Sequence, residues 1–238
     1  MDLLQYVPDI KRCREYKLYP YDGSVILDLN LLGGAAYWGH RPKNLGTKIK
    51  NQISTGAVSF LPTKWHKHLK KHLKRKFPED RVLCFSSKAQ MELFLSKHHD
   101  LDVGVWRTEL SRPSNKALTP VLPQNLSSAC LLIVSTDIPL MDFEEDITSL
   151  DAIALIRGIE DFFKVSQGLV SLPANSLWTQ QGRYLTYINK EHHYKDVFQK
   201  FLDNNILLSH RADVPSILPD LIISSELHRI NKVMVEFR

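Results

Sequence analysis

Cysteine is scarce in this chain, and the three present, Cys13, Cys84 and Cys130, are odd in number and far apart. That usage argues against a disulfide framework and a zinc knuckle, and it points to reduced thiols in the cytoplasm. No apolar run approaches the ~20 residues that a membrane-spanning helix needs. The start, Met1-Asp2-Leu3-Leu4, lacks the basic residues that open a secretory leader. Repeats and low-complexity tracts are missing too. His98-His99 beside Asp100, and His192-His193 beside Glu191, have neither i, i+4 spacing nor a partner cluster, so they read as solvated helix ends and no metal is expected.

What is there is ordinary for a soluble globular protein: 238 residues, 43% hydrophobic, 24% charged and a net charge of +5. That length allows one large domain or a major and a minor one. The basic excess is local. Lys64, Lys67, Lys70, Lys71, Lys74, Arg75 and Lys76 crowd one helix, with Thr63 placed to cap it and Trp65, Leu69 and Leu73 forming a narrow apolar stripe. Such a helix could neutralise phosphates of nucleic acid or an anionic membrane. A solvated face packed through its stripe is the preferred reading, because no nucleic-acid motif accompanies it.

The centre of the chain is a pair of short apolar runs, Cys130 to Val134 and Ala152 to Ile156, flanking a loop with Asp142, Glu144, Glu145 and Asp146. Both runs read as buried strands of an α/β sheet. The second ends in Arg157-Gly158, and side chains just past strand carboxyl ends face the ligand crevice. Around this centre the pattern predicts strands at Val25–Leu29, Arg81–Phe85, Leu101–Trp106, Tyr184–Ile188 and Ile206–Leu208. Helices are predicted at Lys43–Ile53, Lys64–Lys76, Ala89–His98, Tyr194–Asn204 and Ser224–Phe237. The residues from Arg107 to Ser128, with Pro113, Pro120 and Pro123, read as an irregular connection.

Several stretches together resemble class III aminotransferases, the fold-type I enzymes that use pyridoxal phosphate. Asp22-Gly23 with Ile26-Leu27-Asp28-Leu29, then Gly39-His40-Arg41-Pro42, looks like their N-terminal signature. Arg81 to Ala89 is similar to their strand and phosphate-binding turn, Leu131 to Ser135 to the strand ending at the aspartate that holds the pyridine nitrogen, and Leu150 to Gly158 to the strand ending at the Schiff-base lysine. Pro215 to Glu226 is like the segment entering their last helix. The fold class implied is α/β, PLP-dependent transferase-like (aminotransferase fold type I), with a reduced mixed or parallel sheet. It divides into an N-terminal arm and segment (1–62), a reduced central α/β domain (63–168) and a small C-terminal α+β domain (169–238).

The departures from that pattern matter more. The lysine position holds Arg157, whose guanidinium stays protonated and cannot attack an aldehyde. The aspartate position holds Ser135, which cannot keep a ring nitrogen protonated, so the electron sink is lost. The phosphate turn reads Ser86-Ser87-Lys88 without its glycine, and Ser216 stands nearest to where many members place a carboxylate-binding arginine. The expectation is therefore a pseudoenzyme with no confident catalytic residue and no cofactor, acting by binding, with Ser86, Ser87, Lys88 and Arg157 around a remnant anion pocket. Two bland readings compete: Ser86 and Ser87 capping a helix, and Arg157 pairing with the acidic loop. The alternative is a residual transferase that keeps pyridoxal phosphate non-covalently or through Lys164. Because the site of these enzymes lies at a dimer interface, the resemblance implies a homodimer or a partnership with a full-length homologue. His40, beside Trp38, reads as a packed loop histidine.

Overall fold

The computed structural model describes residues 3–41, 45–56, 61–124, 126–138, 147–166 and 170–237. After a 3-10 turn at Leu3–Tyr6 come strands β1 (Ile10–Arg14), β2 (Lys17–Pro20) and β3 (Ile26–Asp28), then helices α1 (Leu45–Ser54) and α2 (Lys64–Lys76). Strand β4 (Asp80–Phe85), helix α3 (Lys88–Leu95), strands β5 (Val103–Arg107), β6 (Ala117–Val121) and β7 (Cys130–Ser135) and helix α4 (Ser149–Phe162) follow. The chain closes with β8 (Trp178–Gln181), β9 (Tyr184–Tyr187), α5 (Tyr194–Asp203), β10 (Ile206–Leu207), β11 (Ser216–Ile217) and α6 (Ser224–Val235). These elements form two units, Met1–Arg41 with Val165–Arg238, and Pro42–Lys164. The three-part division expected from the sequence is thus redrawn. Residues up to Arg41 join the C-terminal stretch because β3 pairs in parallel with β10, Leu27 opposite Ile206.

The unit from Pro42 to Lys164 is a three-layer arrangement. Its sheet runs in the order β4-β7-β6-β5, with β7 antiparallel to both of its neighbours and β6 parallel to β5. Along β7 successive side chains alternate between faces. Leu131 and Ile133 pack with α2 and α4 through Leu69, Leu73, Ala152, Leu155 and Ile159. Leu132 and Val134 meet Met91, Phe94 and Leu95 of α3. Strand β6 replaces the irregular connection expected there. Its Pro120 is tolerated because β6 meets β7 only at Ala117 and Leu118, leaving no ladder bond for a proline to break on that side.

The strand expected at Ala152–Ile156 is a helix. Thr148 caps α4 by accepting from Asp151 N (3.2 Å), while the Asp151 carboxylate accepts from Thr148 N (2.9 Å), a reciprocal box that fixes a helix start. The run is apolar on more than one side because the helix is buried on more than one side. Gly158 lies so close to the β6–β7 connection that an added Cβ would come within 3.1 Å of Leu122.

The other unit has two small sheets, β1-β2-β3-β10 and β11-β9-β8, packed with α5 and α6 around a core that includes Leu27, Trp178, Phe198, Phe201, Ile230 and Val233. Here the two halves of the N-terminal signature meet. Asp28 Oδ1 accepts from the backbone of Asn30 (2.8 Å) and Leu31 (3.1 Å), and Oδ2 accepts from His40 Nε2 (2.8 Å). Gly39 has φ +95°, and a Cβ there would sit 3.2 Å from the Glu15 backbone, whose carbonyl accepts from His40 N (2.8 Å). Gly39→Ala should therefore lower stability by about 2 kcal/mol, the left-handed penalty and a backbone clash acting together. Urea denaturation with an unchanged m-value would show it.

Candidate functional site

The structure disperses the residues from which a cofactor site was expected. Strands β4, β5 and β6 point one way and β7 the other. Ser86 follows the carboxyl end of β4, whereas Ser135 pairs with Asp80 at its start. Five residues of strand, about 17 Å, separate the two ends. Arg157 lies on α4, in the layer opposite α3 and the turn that precedes it.

Each of these residues is also committed locally. Ser87 caps α3 by accepting from Gln90 N (3.3 Å). The Gln90 side chain folds back over the turn and accepts from Ser86 N (3.2 Å) and Ser86 Oγ (2.7 Å). Ser86 O in turn accepts from Ser128 Oγ (2.8 Å). Lys88 pairs with Glu92 in solvent (3.2 Å). Arg157 Nε donates to Asp161 Oδ2 (2.6 Å), and Lys164 meets the same buried carboxylate. The acidic loop expected to pair with Arg157 lies outside the described residues, and Asp161 takes that role from one turn away. Ser216 is buried, its hydroxyl accepting from Ser209 N (2.9 Å). Burial pushes the Cys130 thiol up to about 11, so it stays neutral.

Among the described residues, pyridoxal phosphate does not fit this set. The Ser86 amide of the turn is taken by Gln90, and the pyridine-side and phosphate-side positions lie at opposite ends of the sheet. A Schiff-base amine must also be held neutral, which burial achieves. Every described lysine is exposed or half-buried.

The side chains that do converge are on α1, α2 and α4. Trp65 Nε1 donates to Gln52 Oε1 of α1 (2.6 Å). His66 Nε2 donates to Ile147 O beside the start of α4 (3.1 Å), while its Nδ1 accepts from Thr63 N (3.1 Å). These bonds hold the three helices together at one end. Along their length runs a groove of about 550 Å³. Trp65, His68, Lys71, His72, Lys74 and Arg75 of α2 line it, with Lys48 from α1 and Ile156 and Glu160 from α4. Four permanent cations face one carboxylate. Arg75 Nη2 donates to His72 Nδ1 (3.0 Å), which leaves the ring proton on Nε2. Burial, then Arg75, holds His72 below the ordinary histidine range.

Sequence reasoning found the basic helix but not its groove. The stripe at Trp65, Leu69 and Leu73 already implied that positions 68 and 72, three residues on from Trp65 and Leu69, flank the buried face. Lys48, Ile156 and Glu160 were hidden because Ala152–Ile156 was read as strand. Among the described residues no three His, Cys, Asp or Glu side chains are grouped to hold a metal, and no helix is long and apolar enough to cross a membrane.

No family model matches the chain. An uncharacterized protein of Borreliella burgdorferi is 20% identical to it, over 98% of this chain and 92% of that protein. Among solved structures, a glutamate-1-semialdehyde aminomutase from Pseudomonas aeruginosa PAO1 superposes with a TM-score of 0.71, at 10% identity over 96% of this chain and 87% of the other. Ornithine aminotransferase from Plasmodium yoelii gives 0.67, at 9% identity over 96% and 92%. A β-phenylalanine aminotransferase from Variovorax paradoxus gives 0.66, at 11% identity over 100% and 89%. The chain has the mixed α/β fold of these aminotransferases and this aminomutase. At these identities, likeness speaks to fold alone.

Proposed function

We propose that this aminotransferase-fold protein has lost lysine-based catalysis and acts by binding an anion or a protein partner. The observation that carries the reading is the exposure of its lysines. A Schiff base forms from a neutral amine, and no described lysine sits where burial would keep it neutral. Arg157 and Lys164, the positions nearest to the expected lysine, share the carboxylate of Asp161. The groove on α2 sets four cations against one carboxylate, so binding is assigned to anions first. A second copy of the chain or a full-length aminotransferase is the proposed protein partner, and the free thiols support a cytoplasmic setting.

The test is covalent trapping. Protein incubated with pyridoxal phosphate and reduced with borohydride should yield no stoichiometric lysine adduct by peptide mass mapping. Arg157→Lys should gain none, because position 157 projects from α4 beside Asp161 and not from a strand end. A single lysine modified to completion in the native chain would overturn the reading.

A further inference from the structure

We propose that the groove between α1, α2 and α4 is a nucleotide site, taking a ligand with a phosphate group and a planar ring. It rests on the reading that the chain acts by binding, and it gives that binding a place and a chemical class.

The size of the groove favours a small molecule. About 550 Å³ lies within the range of small-molecule pockets, and a concave site does not match the flat surface of a bilayer. Its charge comes from two helices: Lys48 on α1 lines the groove together with Lys71 and Arg75 on α2, which supply charged donors to a phosphate. His72 lines the same groove, its Nδ1 accepting from Arg75. The rest of the groove is less polar. Trp65, with His68 edge-on at 5.7 Å, and Ile156 offer the aromatic and apolar surface on which a base can lie. Glu160 is the one acceptor in the lining that carries charge. It suits a ring amino group or a sugar hydroxyl, and it disfavours a ligand that is anionic along its whole length.

Calorimetric titration of the full chain with ATP, AMP, inorganic phosphate and a twelve-residue oligothymidylate tests this. ATP should bind with a Kd of about 50 μM at about 0.1 M salt, with phosphate at least about 50-fold weaker. Lys71→Glu with Arg75→Glu should weaken ATP by about 20-fold or more, and Lys48→Glu, from the other helix, by about 5-fold, with thermal unfolding unchanged. Several results would overturn the site: no ATP binding up to about 5 mM, affinity indifferent to all three substitutions, or phosphate binding as well as ATP. Oligothymidylate binding more tightly than ATP would overturn it in favour of a nucleic-acid surface. Trapping of a lysine by borohydride would defeat the function proposed above and leave these affinities untouched, so the two failures are distinguishable.

Discussion

Asp28→Ala should be the most damaging single substitution in the N-terminal signature, lowering unfolding free energy by about 4 kcal/mol and the melting temperature by about 10 °C. Its carboxylate is 2% exposed and accepts from Asn30 N, Leu31 N and His40 Nε2. An alanine leaves these donors facing a space too apolar to replace the acceptor, and each buried unsatisfied donor costs roughly 1–3 kcal/mol. Leu31 and Leu32 have φ of 42° and 52°, left-handed values that cost about 1–2 kcal/mol per residue when nothing holds them. Asp28 holds the first of them directly. Asp28→Asn keeps an oxygen for the two backbone donors and should cost only about 1 kcal/mol. A double-mutant cycle with His40→Ala should show coupling of about 1–2 kcal/mol. Equal losses for the Asn and Ala variants would show that the carboxylate contributes charge and not an acceptor, which is the opposite of the role its three bonds assign to it.

Local pattern reveals an element when that element buries one regular set of side chains. Helical apolar spacing located α2, α5 and α6, because each packs one such set against a partner, whereas β4 and β7 stand out as short continuous apolar runs because both of their faces are buried. Ala152–Ile156 failed for a physical reason: a helix buried on several sides loses its polar face, and a short apolar run then fits either element. The Thr148–Asp151 box upstream was the signal that decides between them. Strand β6 failed because Pro120 normally breaks a ladder, and only the shortness of its pairing with β7 removes that objection. The site misassignment follows from the first of these errors. With Leu150–Gly158 taken as a strand, Arg157 fell at a crevice. On α4 it belongs to a pair with Asp161, and its neighbours Ile156 and Glu160 belong to the groove. His40 was read correctly as a packed histidine, but its partner, Asp28, lies twelve residues earlier, and no periodicity links them.

Arg183 was not singled out by any sequence pattern, and it carries the second large effect. It is 1% exposed and, among the described residues, bonded to no carboxylate. Its Nε donates to Leu218 O (2.6 Å) and its Nη2 to Tyr37 O (3.1 Å), and its guanidinium lies 4.1 Å from the Tyr37 ring centroid and 5.5 Å from that of Trp38. Two bonds from a charged donor contribute about 1.5–3 kcal/mol each, and the desolvated stack adds about 2 kcal/mol. Against this stands a desolvation penalty of several kcal/mol for a cation with Nη1 unpaired. The terms nearly cancel when the volume is kept, so Arg183→Met should lie within about 1 kcal/mol of the parent chain. They do not cancel when the volume is lost: Arg183→Ala opens a cavity beside the Tyr37 and Trp38 rings and should cost about 4 kcal/mol. Arg183→Lys should fall between, since an ammonium cannot lie flat on Tyr37 while reaching both carbonyls. Chemical denaturation of the three variants should therefore rank them Met, Lys, Ala from most to least stable. A methionine variant as unstable as the alanine one would mean that the charge holds this cluster together, and that desolvation of the guanidinium costs far less than its bonds and stacking return.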